Sequence, residues 1–160
     1  MMSDSSLLKE LGEQIGIDLE FDENNQCLLR FDENMWISIH GATDGYVLYG
    51  MLGDFPDQEE NTFWKGVLSI NKELADLGEG AIALEDSTDS LLLIKKIDTR
   101  GMDGIGLRDA LARFSTALER VMGFFVHEEL SEDDETDPDA SQSNGEEHET
   151  QRKGILPDLC

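Results

Sequence analysis

Two spacings of apolar residues alternate along the first 130 residues and predict helices and strands in a definite order. Apolar residues three and four positions apart, the spacing of an amphipathic helix, occur in three stretches of the chain. These stretches are marked by Leu7, Leu8, Leu11 and Ile15; by Phe63, Val67, Ile70, Leu74 and Leu77; and by Leu107, Leu111, Phe114, Leu118, Val121 and Phe125. Gly16 and Gly78 are placed to end the first two helices, and a glycine-rich link at 101–106 precedes the third.

Short apolar runs bounded by turn residues predict five strands between these helices. The runs cover residues 27–31, 35–40, 46–52, 81–85 and 90–98. The order is therefore αβββαββα. Because the helices are separated by hairpins and not by single strands, the chain is expected to form an α+β fold with a twisted antiparallel five-stranded sheet and three helices. The phrase Phe-Asp-Glu-Asn occurs at 21–24 and again at 31–34, which indicates two similar turns bracketing the first strand.

Alternation along the first three strands predicts a sheet with apolar residues on both faces. Cys27, Leu29, Ile37 and Ile39 belong to the core face. The second face is expected to carry Leu28, Trp36, Tyr46 and Leu48 among polar residues. Such a face needs a cover, which is a helix of this chain, a second copy, or a partner segment that pairs with the sheet edge.

The middle helix presents a similar choice. Its stripe is either part of the core or a contact between two copies of the chain. A stripe widened by Trp64 and Leu68 favours an isologous homodimer.

The net charge of the chain restricts the kinds of partner that it can bind. The 160 residues include 36 acidic and 12 basic side chains, a formal charge of −24. Residues 1–127 hold 24 acidic and 10 basic side chains, so they carry −14 on their own. This sign excludes ordinary binding to nucleic-acid phosphates and to anionic membrane surfaces. It favours a basic partner, or a protein that stays dispersed while it displays apolar surface.

Composition divides the chain in two. Residues 1–130 are predicted to be one folded domain, and 131–160 a disordered acidic tail that has too few apolar residues to form a core. Cys27 and Cys160 do not form a disulfide framework, and no signal-peptide or membrane-span pattern is present. We expect a reduced cytoplasmic protein with Cys27 buried.

The chain lacks the patterns of known catalytic and metal sites. His40, His127 and His148 are scattered, no Cys/His cluster has zinc spacing, and no calcium loop fits the acidic tail. Neither a phosphate loop nor a nucleophile elbow occurs. The sequence therefore predicts no catalytic residues, no metal, no cofactor and no enzymatic activity.

Four segments carry a resemblance to a known family. They are Leu-Glu-Phe-Asp-Glu-Asn-Asn-Gln-Cys-Leu-Leu at 19–29, Tyr-Val-Leu-Tyr-Gly at 46–50, Asn-Lys-Glu-Leu-Ala at 71–75 and Asp-Ser-Leu-Leu-Leu-Ile at 89–94. In order and spacing they resemble the class I type III secretion chaperones, the Tir chaperone (CesT-type) family, and are closest to its SicP-like branch. The resemblance covers residues 5–128, and the 131–160 extension lies outside it.

The resemblance implies a cytoplasmic bacterial homodimer with a virulence function. Such a protein binds the N-terminal segment of a secreted effector, keeps it soluble and locally unfolded, and delivers it for export; the secretion apparatus is a further candidate partner. The residues implied at the dimer interface are Phe63, Trp64, Val67 and Ile70. Those implied to contact the effector are Leu7, Leu8, Leu11, Leu28, Trp36 and Leu48.

A second class of function fits the charge equally well. An acidic inhibitor or immunity-type protein caps a basic active site and depends on its carboxylates. Its affinity falls steeply with salt, whereas binding through apolar anchors survives moderate salt.

Overall fold

A computed structural model describes residues 5–54 and 61–131. The elements are α1 (Ser6–Ile15), β1 (Gln26–Arg30), β2 (Trp36–Ala42), β3 (Gly45–Asp54), α2 (Asn61–Leu77), β4 (Ala81–Glu85), β5 (Ser90–Asp98) and α3 (Gly104–Ser131). This order confirms the predicted αβββαββα arrangement and the α+β class. The acidic tail predicted for 131–160 falls, after Ser131, outside the described residues.

The five strands form one antiparallel sheet in the order β1-β2-β3-β5-β4. A meander of β1, β2 and β3 joins the β4–β5 hairpin through the pairing of β3 with β5, in which Tyr46 faces Ile97 and Gly50 faces Leu93. The register shifts once, between Met51 and Gly53, where a bulge bends the strand. In the described part of the chain, only β2 pairs with β1, so β1 is an edge strand.

The repeated Phe-Asp-Glu-Asn phrase forms two similar turns on either side of β1, as predicted. In each turn the aspartate, Asp22 or Asp32, accepts two backbone N–H groups through Oδ1 at 2.8–2.9 Å. The donors are Asn24 and Gln26 in the first turn, and Asn34 and Met35 in the second. These bonds take the place of backbone pairing where the chain leaves the sheet.

Helices α1 and α3 cover one face of the sheet and enclose the core. The largest side chains with less than 2% of their surface exposed are Tyr46, Phe114, Leu8, Leu11, Ile37, Ile39, Leu48, Leu74, Leu93, Leu107, Leu118 and Val121. Cys27 is buried as predicted. Burial, with a smaller contribution from Asp22, raises the pKa of its thiol.

The face predicted for Tyr46 and Leu48 is wrong. Leu48 pairs with Ile39, and Tyr46 pairs with Gly41, so both side chains point into the core with Ile37 and Ile39. Both the even-numbered and the odd-numbered positions at 46–49 are apolar, so alternation alone could not say which of the two sets faces the core. The β2–β3 hairpin, which pairs Ala42 with Gly45, sets the parity.

Helix α3 begins at Gly104, within the glycine-rich segment that the sequence predicts as a link. The N–H of Gly104 donates to Glu10 Oε2 of α1 at 3.0 Å. A carboxylate at this end of a helix satisfies an unpaired N–H and complements the helix dipole. The contact therefore fixes α1 against the start of α3.

Helix α2 lies along the free edge of β4. The side-chain amide of Asn71 makes both hydrogen bonds of a missing strand: Nδ2 donates to the carbonyl of Ile82 at 3.3 Å, and Oδ1 accepts the N–H of Ile82 at 2.6 Å. On its other side α2 approaches α3 closely, because Gly66 leaves room for the ring of Phe124. None of the helices within 5–54 and 61–131 is both long enough and apolar enough to cross a membrane.

Candidate partner-binding surfaces

The sheet face turned away from α3 is the first candidate surface, and we call it the outer face. It exposes three large apolar side chains, one on each strand of the meander: Leu28 with 61% of its surface exposed, Trp36 with 41% and Met51 with 51%. Partly exposed residues continue it toward β5. They are Val47, Tyr49, Leu92 and Ile94.

Arg30 and Trp36 are cross-strand partners on this face. The guanidinium carbon of Arg30 lies 5.4 Å from the centre of the Trp36 ring, a cation–π distance. Arg30 Nε also donates to the carbonyl of Asp32 at 2.9 Å. The tryptophan is therefore held in one orientation while much of its surface remains accessible.

His40 lies in the middle of the outer face. Its Nε2 is 2.9 Å from Ser38 Oγ, and its ring centre is 4.4 Å from that of Tyr49. Burial lowers the pKa of His40 below its ordinary value, although Asp22 acts in the opposite direction. At neutral pH the imidazole is therefore mostly uncharged.

The six residues predicted to contact an effector do not share one surface. Four of them pack in the core of the single chain, with exposures of 5% for Leu7, 0% for Leu8, 2% for Leu11 and 0% for Leu48. Leu28 and Trp36 lie together at the exposed end of the outer face. A role in effector contact stays a prediction for all six, but only these two present their side chains to solvent.

The second candidate surface lies on α2, where the sequence predicts a dimer contact. Val67 is 5% exposed, and Phe63, Trp64 and Ile70 are partly buried against the core. Phe63 packs edge-on against Trp64 with ring centres 4.9 Å apart and contacts Phe125 at 5.6 Å. The contact between copies stays a prediction.

Two strongly exposed apolar residues of these surfaces are not among the predicted contact residues. Leu68 of α2 is 67% exposed and Met51 of β3 is 51% exposed. Leu68 follows Trp64 by four positions, so both lie on the same side of the helix. That spacing indicates Leu68 as a surface residue, whereas Met51 required knowledge of which parity of β3 faces the core.

No group of three or more His, Cys, Asp and Glu side chains capable of holding a metal ion occurs in the described portion of the chain. The arrangement offers apolar contact and polar edges. It therefore supports recognition of another polypeptide.

The family comparison agrees with this geometry. The model of the Tir chaperone protein (CesT) family matches residues 6–122, which include every helix and strand except the end of α3.

Curated relatives match part of this range. The Tir chaperone of Escherichia coli O157:H7 is 37% identical over 89 residues, which are 54% of this chain and 56% of that protein. The Tir chaperone of Escherichia coli O111:H- is 36% identical over 89 residues, with the same coverage of both proteins. The chain thus spans about half the length of the curated relatives it matches.

Solved structures show the same fold at low sequence identity. A chain of the HopA1–SchA chaperone–effector complex has a TM-score of 0.64 at 13% identity, over 74% of this chain and 91% of that one. A chain of the ExsC–ExsE complex has a TM-score of 0.62 at 18% identity, over 74% and 90%. A chain of the ExoU–SpcU complex from the type III secretion system of Pseudomonas aeruginosa has a TM-score of 0.57 at 18% identity, over 74% and 94%.

Proposed function

Because this chain belongs to the Tir chaperone protein (CesT) family, we propose that it is a type III secretion chaperone. It binds the N-terminal chaperone-binding segment of a cognate effector, keeps that segment soluble and locally unfolded, and delivers it for export. The observation that carries the proposal is the outer face, where Leu28, Trp36 and Met51 are exposed together. A face of this kind is suited to cover an extended apolar segment.

The charge of the chain supports such a role. A protein that exposes apolar surface tends to associate with itself, and strong like charge opposes that association. Residues 1–127 carry −14, more than solubility alone requires of a small domain. The excess keeps the outer face available for a partner.

We assign the effector contact to Leu28 and Trp36, joined by Met51. Leu7, Leu8, Leu11 and Leu48 support this contact indirectly, since they build the core on which the sheet and α1 rest. An extended segment loses conformational entropy when it binds, so several such anchors are needed along its length.

The chaperone acts as a homodimer that associates through α2. The exposed side chain of Leu68 forms the centre of that contact with Trp64, which lies one turn away on the same side of the helix. Phe63, Val67 and Ile70 join the contact from the side of α2 that packs against the core. A two-fold axis repeats the outer face, and two linked sites on one effector raise the effective concentration of the second contact. The protein is cytoplasmic in a bacterium and works without cofactor or catalysis.

Purification from the native bacterium tests the effector contact. Leu28→Asp and Trp36→Asp are expected to reduce the amount of one co-purifying protein at least severalfold, because each places a carboxylate in an apolar contact. Removal of that protein's N-terminal region should abolish its capture by the unaltered chain. Ile105→Asp is the matched control, since Ile105 is 52% exposed but lies on α3. Equal capture by all four proteins would contradict the assignment.

Light scattering on the same samples tests the dimer. Leu68→Glu is expected to give a monomer, while Leu28→Asp and Trp36→Asp remain dimers. If the Leu68→Glu protein remained a dimer, α2 would not form the interface.

The charge of −14 on residues 1–127 also fits a second function, that of an acidic inhibitor that caps a basic partner. Such a complex dissociates as salt rises through a few hundred millimolar, and it tolerates Trp36→Asp. A monomer that releases a basic enzyme under these conditions would replace the chaperone assignment.

A further inference from the structure

A cavity of about 300 Å³ opens between the β1–β2 turn and α3. It is lined by Asp32, Glu33, Asn34, Met35, Glu119 and Met122. Met35 is only 4% exposed and Met122 is partly buried, so two thioether side chains form its floor. The three carboxylates are on exposed residues and form its rim.

The rim carries negative charge that the rest of the described chain leaves uncompensated. Among residues 5–54 and 61–125, the ion pairs involve other carboxylates. Arg30, the cation adjacent to the turn, donates to the backbone carbonyls of Asp32 and Glu33 at 2.9 and 3.4 Å. It also lies over Trp36, so its hydrogen bonds hold the turn and do not pair with the rim carboxylates.

The shape of the turn is fixed before any ligand arrives. Asp32 Oδ1 accepts the N–H groups of Asn34 and Met35 at 2.8 Å, and Arg30 binds the carbonyls. A preorganised site loses less free energy on binding than one that must first be ordered.

A second cavity, of about 360 Å³ at the end of α1, provides a contrast. Its lining includes Lys9, whose Nζ lies 3.3 Å from Glu20 Oε1. That cavity has its own cation, whereas no lysine or arginine lines the first.

We propose that the cavity beside the β1–β2 turn binds the side chain of a lysine or arginine of the partner segment. The aliphatic part of that side chain lies against Met35 and Met122, and its cation faces Asp32, Glu33 and Glu119. Long basic side chains bury their alkyl stems and keep their charge near carboxylates in this way. A hard metal cation fits less well, because calcium requires six to eight oxygen ligands and the floor of this cavity consists of thioether side chains.

The inference rests on the proposed function for the identity of the partner, an extended polypeptide segment. It adds the chemistry that this segment must offer where it passes the β1–β2 turn on the side of α3, a basic residue. The acidic rim then selects among apolar segments, which outer-face contacts alone do not.

The test is a titration with two short peptides, followed by NMR of protein labelled with ¹³C at the methionine methyl groups. One peptide is acetyl-Ala-Leu-Arg-Leu-Ala-amide, and the other has citrulline, a neutral analogue of similar shape, in place of arginine. The arginine peptide is expected to shift the methyl signals of Met35 and Met122. The citrulline peptide should bind about threefold to tenfold more weakly, the range for one or two exposed charge pairs.

Substitutions at the rim give the matched comparison. Glu33→Gln combined with Glu119→Gln should remove the preference for arginine, whereas Glu13→Gln, at the second cavity, should preserve it. Asp32 is left unchanged because its carboxylate holds the turn. Should the double variant lose its folded spectrum, Glu119→Gln alone, on the surface of α3, is expected to reduce the preference.

Two outcomes would overturn the inference: equal binding of both peptides, or shifts that leave Met35 and Met122 unaffected. Neither outcome changes the effector capture described above. Conversely, a chain that prefers the arginine peptide but captures no effector would retain the cavity assignment and lose the chaperone assignment.

Discussion

Gly50 of β3 is a point of close approach between the sheet and α3. A Cβ built on Gly50 would lie 2.6 and 2.7 Å from the two methyl carbons of Leu118, which is itself fully buried. Surrounding core residues leave Leu118 little room to change its rotamer. A single missing carbon therefore sets the distance between these two layers.

We expect Gly50→Ala to lower the free energy of unfolding by about 1–3 kcal/mol, the usual cost of overpacking a core. Urea denaturation monitored by circular dichroism measures the change. Gly123→Ala is the control, because a Cβ at Gly123 meets nothing within 4 Å and alanine is preferred to glycine inside a helix by about 1 kcal/mol. Unchanged stability of the Gly50→Ala protein would mean that Leu118 moves aside and that its contact does not limit position 50.

Single residues also mark where sequence reasoning fails. The burial of Cys27 followed from its position in the apolar run Cys27 to Leu29, on the same face as Leu29. Leu48 was assigned to the wrong face because both parities of β3 are apolar. Leu7, Leu8 and Leu11 were recognised as one face of a helix, but a hydrophobic stripe does not state whether it packs on its own sheet or on a partner.

At the scale of elements, one side chain of α2 makes two hydrogen bonds to the backbone of β4. The amide of Asn71 replaces a neighbouring strand for Ile82, and it satisfies a donor and an acceptor that would otherwise need water or another chain.

Asn71→Ala is expected to lower the free energy of unfolding by about 1–3 kcal/mol, because it leaves the backbone groups of Ile82 without protein partners. Chemical denaturation measures the loss, and hydrogen exchange of the Ile82 amide should accelerate. Ser69→Ala, at an exposed position two residues earlier, is the control and should be nearly neutral. If the two variants unfold alike, α2 is held to the sheet by its apolar stripe alone.

Element positions along the chain were more predictable than element positions in space. The strands predicted at 81–85 and 90–98 agree with β4 and β5 to the residue, because Asp86 to Asp89 supply a strong turn between two apolar runs. The location of α2 at the β4 edge was not predicted, since it depends on a hydrogen bond between residues eleven positions apart. Tertiary packing also decides which of the six predicted contact residues lie in the core and which lie on the surface, so the sequence pattern could not separate them.

For the molecule as a whole, net charge is the dominant long-range term. A formal charge of −24 on 160 residues opposes compaction by self-repulsion, which dissolved salt screens.

Raising sodium chloride from about 10 mM to about 300 mM at pH 7 should therefore raise the unfolding temperature by several degrees. Differential scanning calorimetry at several salt concentrations measures the shift. A proportionate increase in the free energy of unfolding is expected because the Debye length falls below the spacing of most surface carboxylates. A constant unfolding temperature would indicate that the charges are already spaced too widely to interact.

The two edges of the sheet differ in a way that limits how the protein can grow into larger assemblies. Asn71 occupies the outward hydrogen-bonding groups of Ile82 on β4, while β1 presents those of Leu28. Fibrous growth by strand addition requires each unit to join two others, one at each edge. A unit with one reactive edge terminates the series as soon as it has reacted once, so two copies that pair through β1 leave no reactive edge for a third. The fold thus combines an apolar surface that can bind a partner with a sheet that has one of its two edges blocked against strand addition.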